Sequence, residues 1–368
     1  MLVVHVARGL RREGIEVFVG CLDVLGGLGE EIQREGFPVE VYGRKPGLDL
    51  GLPGRIARSV KKWGIDLVHA HQYTCFVYGA LSKLRTRRPL IFTEHGRFYP
   101  DVPSLRRRLF NALFSRFCDR ITAVSGGVRK SLSEIEGFDP QAIEVIYNGI
   151  DPKRFAACTK AEARRELDVP AGARIVGTVG RLDPIKNQTL LIRAFDRLRR
   201  ELPDALLLVV GDGPEGARLR DLAEEKGLDG SVRFLGERRD IERILPAFDV
   251  FALSSLSEGT PMTLLEAMAS STAIVSTAVG GIPEILGAEE AILIPEAGDR
   301  QGASPQESLE DTFAAGLREV LLHPDLAATM AKKARERLLR EFTIDVLCER
   351  YSNIYRDLLP EGAARTSS

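Results

Sequence analysis

Cysteine is sparse in this 368-residue chain, and the odd five of them (Cys21, Cys75, Cys118, Cys158, Cys348) stand far apart with no C-x-x-C pair. That spacing excludes a disulfide framework and a zinc knuckle, and it points to a reducing compartment. No apolar run approaches the roughly 18 residues that a membrane-crossing helix needs, and the amino terminus lacks the layout of a signal peptide. The expectation is a cytoplasmic protein, or one peripheral on the inner face of a membrane. A clustered aromatic platform is missing, as is any nucleic-acid module, so no nucleic-acid partner is expected. Net charge is nearly absent too, 51 basic against 52 acidic residues leaving −1. That balance hides a division: residues 1–150 hold 22 Lys and Arg against 16 Asp and Glu, and residues 151–368 hold 29 against 36. The two halves attract different things.

What remains is a soluble composition, 44% hydrophobic and 28% charged, on a chain longer than one core usually holds. Short apolar runs such as "DLVHAH", "PLIFTEHG", "ARIVGTVGRL", "ALLLVVGDG" and "DVFALSS" alternate with amphipathic stretches such as "NQTLLIRAFDRLRRE". Strands that read as nearly continuous apolar runs between helices indicate parallel sheets covered on both faces, hence a doubly wound α/β chain. The series breaks at the polar, helical stretch from Asp151 to Ala173, which marks the domain junction. Two sheets facing across a cleft are expected, with ligand at the carboxyl ends of the strands. The boundaries are an N-terminal domain over 1–153, a C-terminal domain over 154–340, a helix over 341–360 crossing back, and a disordered tail over 361–368.

The stretch "SEGTPMTLLEAMA" flanks a helix start with two carboxylates, Glu258 and Glu266, and places Pro261 where it suits the first helical position. A helix amino terminus carries unpaired N–H groups that attract anions. Alone, Glu258 reads as an ordinary dipole-satisfying residue, worth about 1 kcal/mol. However, Arg181 and Lys186 stand five residues apart in the loop after "ARIVGTVG", where two cations can converge on one diphosphate.

This combination of Arg181, Lys186, Glu258 and Glu266 resembles the retaining nucleotide-sugar glycosyltransferases of family 4, which have the GT-B architecture of two Rossmann-like domains. "VIYNGID", "GDGP", "VRFLG" and "TAVGGIPEIL" match the same family. The resemblance implies that Arg181 and Lys186 neutralise the diphosphate and that Gly259, Thr260, Met262 and Thr263 add donors at the helix start. It also implies that Glu266 accepts from the ribose hydroxyls and that Glu258 lies against the donor sugar. Phe234 and Leu235 lie near the base, while Gly180, Asn148 and Gly211 enter as further donor-binding positions. His95 in "FTEHG" matches the active-site histidine, with Glu94 read as supporting structure. For His71, lining of the acceptor cleft and plain packing stand level.

The implied reaction is transfer of a hexose-type sugar from a nucleoside-diphosphate donor, UDP or GDP, to the hydroxyl of a glycan or glycolipid acceptor in the cell envelope. No two aspartates are separated by one residue, so neither a catalytic metal nor another cofactor is expected. A non-catalytic nucleotide-sugar-binding protein, a nucleotide-sugar epimerase and a pyridoxal-phosphate phosphorylase are the rivals. Two departures from the family stand out. The chain opens on what reads as the first helix, so the family's first strand and Gly-Gly-x-Glu loop are missing, which suggests a misassigned start codon. Pro261 stands where many relatives have glycine, which removes one N–H from the phosphate cradle. Finally, "SLRRRLFNALFSRFCDR" reads as a helix whose apolar side covers the sheet, in preference to one that dips into an anionic lipid surface.

Overall fold

The computed structural model describes residues 2–96, 104–170, 172–295 and 308–359. It divides into two compact units, one comprising residues 1–149 with 344–368 and the other Ile150–Thr343. The tail over 361–368 lies outside the described residues, as does residue 360.

In the N-terminal unit, strands β1 (Val19–Cys21) and β2 (Val39–Val41) form one parallel pair. β3 (Val68–His71), β4 (Leu90–Glu94), β5 (Arg120–Ala123) and β6 (Ile143–Val145) form a parallel sheet in chain order. β2 escapes the apolar-run reading because it is only three residues long with Glu40 at its centre. Among the described residues β1 is not paired with β3, and the two belong to separate sheets. A cavity of about 210 Å³ opens there, lined among others by Val19, Gly20, Trp63, Val68, His69 and His71. Helix Ile344–Leu358 packs on helix Leu2–Arg12, and Leu2, Val6 and Leu10 share one apolar cluster with Ile91, Leu347 and Tyr351. The crossing is close: a Cβ on Gly9 would fall 2.0 Å from Cys348 Sγ.

The C-terminal unit holds one parallel sheet of β7 (Arg174–Val179), β8 (Ala205–Val210), β9 (Val232–Gly236), β10 (Val250–Leu253), β11 (Ala273–Thr277) and β12 (Ile292–Ile294). Its spatial order is β12-β11-β10-β7-β8-β9. β7, β8, β10 and β11 are almost wholly buried, as expected for strands covered on both faces. The order reverses between β7 and β10, so the chain leaves these neighbours in opposite lateral directions and opens a crevice at their carboxyl ends.

The helix Leu105–Phe114 meets expectation only in part. Phe114 packs against the core cluster of the sheet, as does Phe117 just beyond it, but Leu105, Leu109 and Leu113 are exposed, and the fully buried residue is Asn111.

Candidate functional site at the carboxyl ends of β7 and β10

Lys186 and Glu258 follow the two strands that flank the reversal. After β7 the chain makes a 3-10 turn over Pro184–Lys186, closed by Asp183, whose carboxylate accepts from the Lys186 N–H at 3.3 Å. After β10 it runs through Ser254 and Ser255 into the bend that carries Glu258. The Ser254 hydroxyl donates to the carbonyls of Lys186 and Asn187 at 3.0 Å each, and the Leu256 N–H donates to Ile185 O at 2.8 Å. These bonds fix the two loops to each other. Lys186 Nζ then lies 2.6 Å from Glu258 Oε1, which also accepts from Ser255 Oγ at 2.6 Å. The carboxylate side chain is only 8% exposed and the ammonium side chain 23%. The sequence suggested two cations side by side; the structure places one cation against the carboxylate. Arg181 pairs instead with Asp183 at 3.5 Å, and its side chain is 71% exposed.

Glycines set the backbone of this crevice. Gly280 adopts φ +56°, and a Cβ there would sit 1.9 Å from the carbonyl oxygen of Glu258, which also accepts from the Gly281 N–H at 3.1 Å. Gly211 has φ +133°, and a Cβ on it would fall 1.9 Å from Gly180 O. The loops after β7 and β8 therefore touch backbone to backbone. Gly280→Ala is expected to shift Glu258 and lower transfer by about 10–100-fold, with a stability loss of about 1–3 kcal/mol from the left-handed backbone. Gly26→Ala, where added bulk meets nothing within 4 Å, serves as the inert control. Steady-state rates and melting curves of the two variants check this.

The helix Met262–Ala269 begins one residue later than expected, with Pro261 as its N-cap and no side-chain cap. Gly259 and Thr260 form the bend before it, Thr260 is buried, and Met262 and Thr263 open the first turn. Glu266 lies mid-helix, and burial pushes its carboxyl up to about 7, eased by Arg154 and reinforced by Glu242. Those two pair with each other at 3.2 Å. A buried carboxyl protonates more readily in the folded than in the unfolded chain. Its favourable contribution is therefore complete below about pH 4.5 and lost as pH rises through 7. Glu266→Gln is expected to raise stability at pH 8 by about 1–3 kcal/mol. The gain should shrink as pH falls below 7, as melting curves of wild type and variant across that range would show. Phe234 and Leu235 are half-buried in β9, with the Arg220 guanidinium 5.0 Å from the Phe234 ring centroid.

His95 and Asn148 belong to the other unit. Glu94 turns back to accept from the N–H groups of His95 (3.0 Å) and Gly96 (3.3 Å), which shapes the turn after β4. His95 Nε2 lies 2.9 Å from His71 Nδ1. His69 bridges Tyr355 OH and Thr93 Oγ1 at 2.6 Å each, and Thr93 meets Thr122 at 2.6 Å. Burial holds His69 down to about 3 and His95 down to about 4, and lowers His71 well below its ordinary value. All three rings are therefore neutral at pH 7, each with one N–H, so of the facing His71 Nδ1 and His95 Nε2 one donates and the other accepts. Asn148 is buried on the segment after β6.

The sequence reading passed over Ser254, Ser255, Gly280 and Arg154. The first three stand in stretches already singled out, "DVFALSS" and "TAVGGIPEIL", where small polar or glycine residues at strand ends were the available signal.

Comparison with known proteins decides the family. Residues 1–154 match the model for Glycosyltransferase Family 4, and residues 159–337 match that for Glycosyl transferases group 1. The D-inositol 3-phosphate glycosyltransferase of Saccharomonospora viridis is 30% identical over 80% of this chain and 70% of its own. The chain belongs to the family 4 glycosyltransferases. A second family 4 relative, the N-acetyl-alpha-D-glucosaminyl L-malate synthase of Bacillus anthracis, is 26% identical over 85% of this chain and 80% of its own. Anabaena HepE, solved with UDP and glucose, superposes with a TM-score of 0.82 at 24% identity, covering 97% of this chain and 95% of HepE. This likeness gives the family 4 glycosyltransferase the GT-B fold.

Proposed function

We propose that this glycosyltransferase moves a hexose-type sugar from a UDP- or GDP-sugar to an acceptor hydroxyl with retention of configuration, in envelope polysaccharide or glycolipid synthesis. The observation that carries the reading is the Lys186–Glu258 pair at the strand reversal beside the start of helix Met262–Ala269. When the C–O bond of the donor breaks, negative charge grows on the departing diphosphate and positive charge on the sugar ring. Lys186 and the helix N–H groups oppose the first, joined by Arg181 once its exposed side chain leaves Asp183, and Glu258 opposes the second, so the site favours the transition state over the ground state. Glu266 takes the ribose, and His95 is the active-site histidine, as the family resemblance gives them. No metal or organic cofactor enters this scheme, because the cations of the chain itself meet the leaving charge.

A panel of UDP-, GDP- and ADP-sugars tests the reading. The acceptor arm holds envelope glycolipid intermediates beside L-malate and D-inositol 3-phosphate, the acceptors that the relatives' names specify. One donor is expected to release its nucleotide with formation of a product of unchanged anomeric configuration, seen by NMR, and Glu258→Ala is expected to abolish it. Binding without turnover would leave a nucleotide-sugar-binding protein, and interconversion of the donor itself would identify an epimerase. An inverted product would refute retention while leaving glycosyl transfer intact.

A further inference from the structure

The helix Leu105–Phe114 presents its apolar ridge outward. Leu105, Leu109 and Leu113, spaced four residues apart, are 74%, 66% and 55% exposed. An amphipathic helix normally buries such a ridge. Here the underside is held by Phe114, packed against the core cluster, and by buried polar groups. Buried Asn111 accepts from Tyr73 OH at 2.6 Å and donates to Glu136 at 3.0 Å (carbonyl) and 2.6 Å (carboxylate). The Arg107 guanidinium pairs with the same Glu136 carboxylate at 2.7 Å, whose side chain is fully buried. Turning the helix to hide its leucines would strand the buried Glu136 charge and the buried Asn111 amide, which together cost several kcal/mol. The outward ridge is therefore the orientation the fold enforces.

Cations border that ridge. Arg106, Arg108 and Arg116 are exposed, and residues 105–117 contain four arginines and no acidic side chain. We propose that this face docks on an anionic lipid bilayer, with the leucines entering the acyl boundary and the arginines meeting lipid phosphates. A second copy fits poorly, since it would set arginines against arginines. A protein partner would need an acidic rim around an apolar groove. The bilayer supplies both chemistries at once. This inference goes beyond the proposed reaction and does not depend on the acceptor, because its test needs neither donor nor acceptor.

The test is flotation of the purified full chain with phosphatidylcholine vesicles, with and without about 30 mol % phosphatidylglycerol. Wild type is expected to float with the anionic vesicles and to be released by salt. The combined Leu105→Ser, Leu109→Ser and Leu113→Ser variant is expected to lose about tenfold or more of its partition. Arg106→Glu with Arg116→Glu is expected to lose a similar factor together with the salt dependence. All five side chains are solvent-facing, so melting should be unchanged; if the triple variant misfolds, the charge-reversal variant carries the test. Absence of wild-type flotation, or flotation of both variants like wild type, overturns the proposal. So does a leucine-dependent oligomer or protein complex in place of vesicle binding.

Discussion

Lys186→Ala is expected to lower kcat/KM by about 10²–10³-fold, the range for loss of one preorganised group facing developing charge. The same change should cost about 1–3 kcal/mol of stability, because the Glu258 carboxylate, only 8% exposed, loses the ammonium 2.6 Å away. The two effects separate in a double-mutant cycle. Glu258→Gln removes the stranded charge, so the double variant should recover much of the stability and none of the activity. A coupling energy of about 0.5–3 kcal/mol is expected. Lys186→Arg should not rescue, because the planar fork cannot occupy the tight turn capped by Asp183 as a compact ammonium does. A Lys186→Ala enzyme within about threefold of wild type in kcat/KM would remove the pair from the catalytic scheme.

Between pH 7.5 and 5 the N-terminal unit is expected to lose several kcal/mol of stability. His69, His71 and His95 are held below their ordinary 6.5 by burial. Their contribution is complete above about pH 6.5 and is lost as pH falls towards 4, since the unfolded chain takes up protons that the folded rings refuse. For His69 and His95, partly exposed and held near 3 and 4, the loss at pH 5 is about 1–2 kcal/mol each, a large share of the 5–15 kcal/mol typical of folded proteins, and His71 adds in the same direction. Glu266 has the opposite sign, and it sits in the other unit. The two slopes can be read apart because the single tryptophan, Trp63, lies in the N-terminal unit. Its fluorescence should report an acid-sensitive transition, and His71→Asn should flatten part of the slope. A Trp63 melting temperature unchanged from pH 7.5 to 5 would refute the neutral-histidine account.

The alternation of apolar runs with amphipathic stretches was legible because strands covered on both faces must be apolar throughout. β2 was not, since a three-residue strand centred on a glutamate carries no such run. Glu258 and Lys186 were singled out separately, yet their contact joins positions 72 apart in the chain, and no local period encodes it. Likewise, the spacing of Leu105, Leu109 and Leu113 identified a helix face but not its direction. That depended on Asn111, whose place on the opposite face from the leucines was the available clue, and on Glu136, 25 residues away. What sequence pattern conveys is which residues share a face; what it withholds is which distant partner that face meets.

The N-terminal unit is assembled from both ends of the chain. Tyr351, in the last helix, contacts Thr93 and Thr122 at 3.2 and 3.5 Å and packs with Leu2, Val6 and Ile91. A ribosome delivers Leu2 long before Tyr351. Throughout translation of Ile150–Thr343, the nascent first unit is without its final helix and exposes the apolar surface meant for it. Synthesis order thus postpones completion of the N-terminal unit until Ile344–Leu358 has been made.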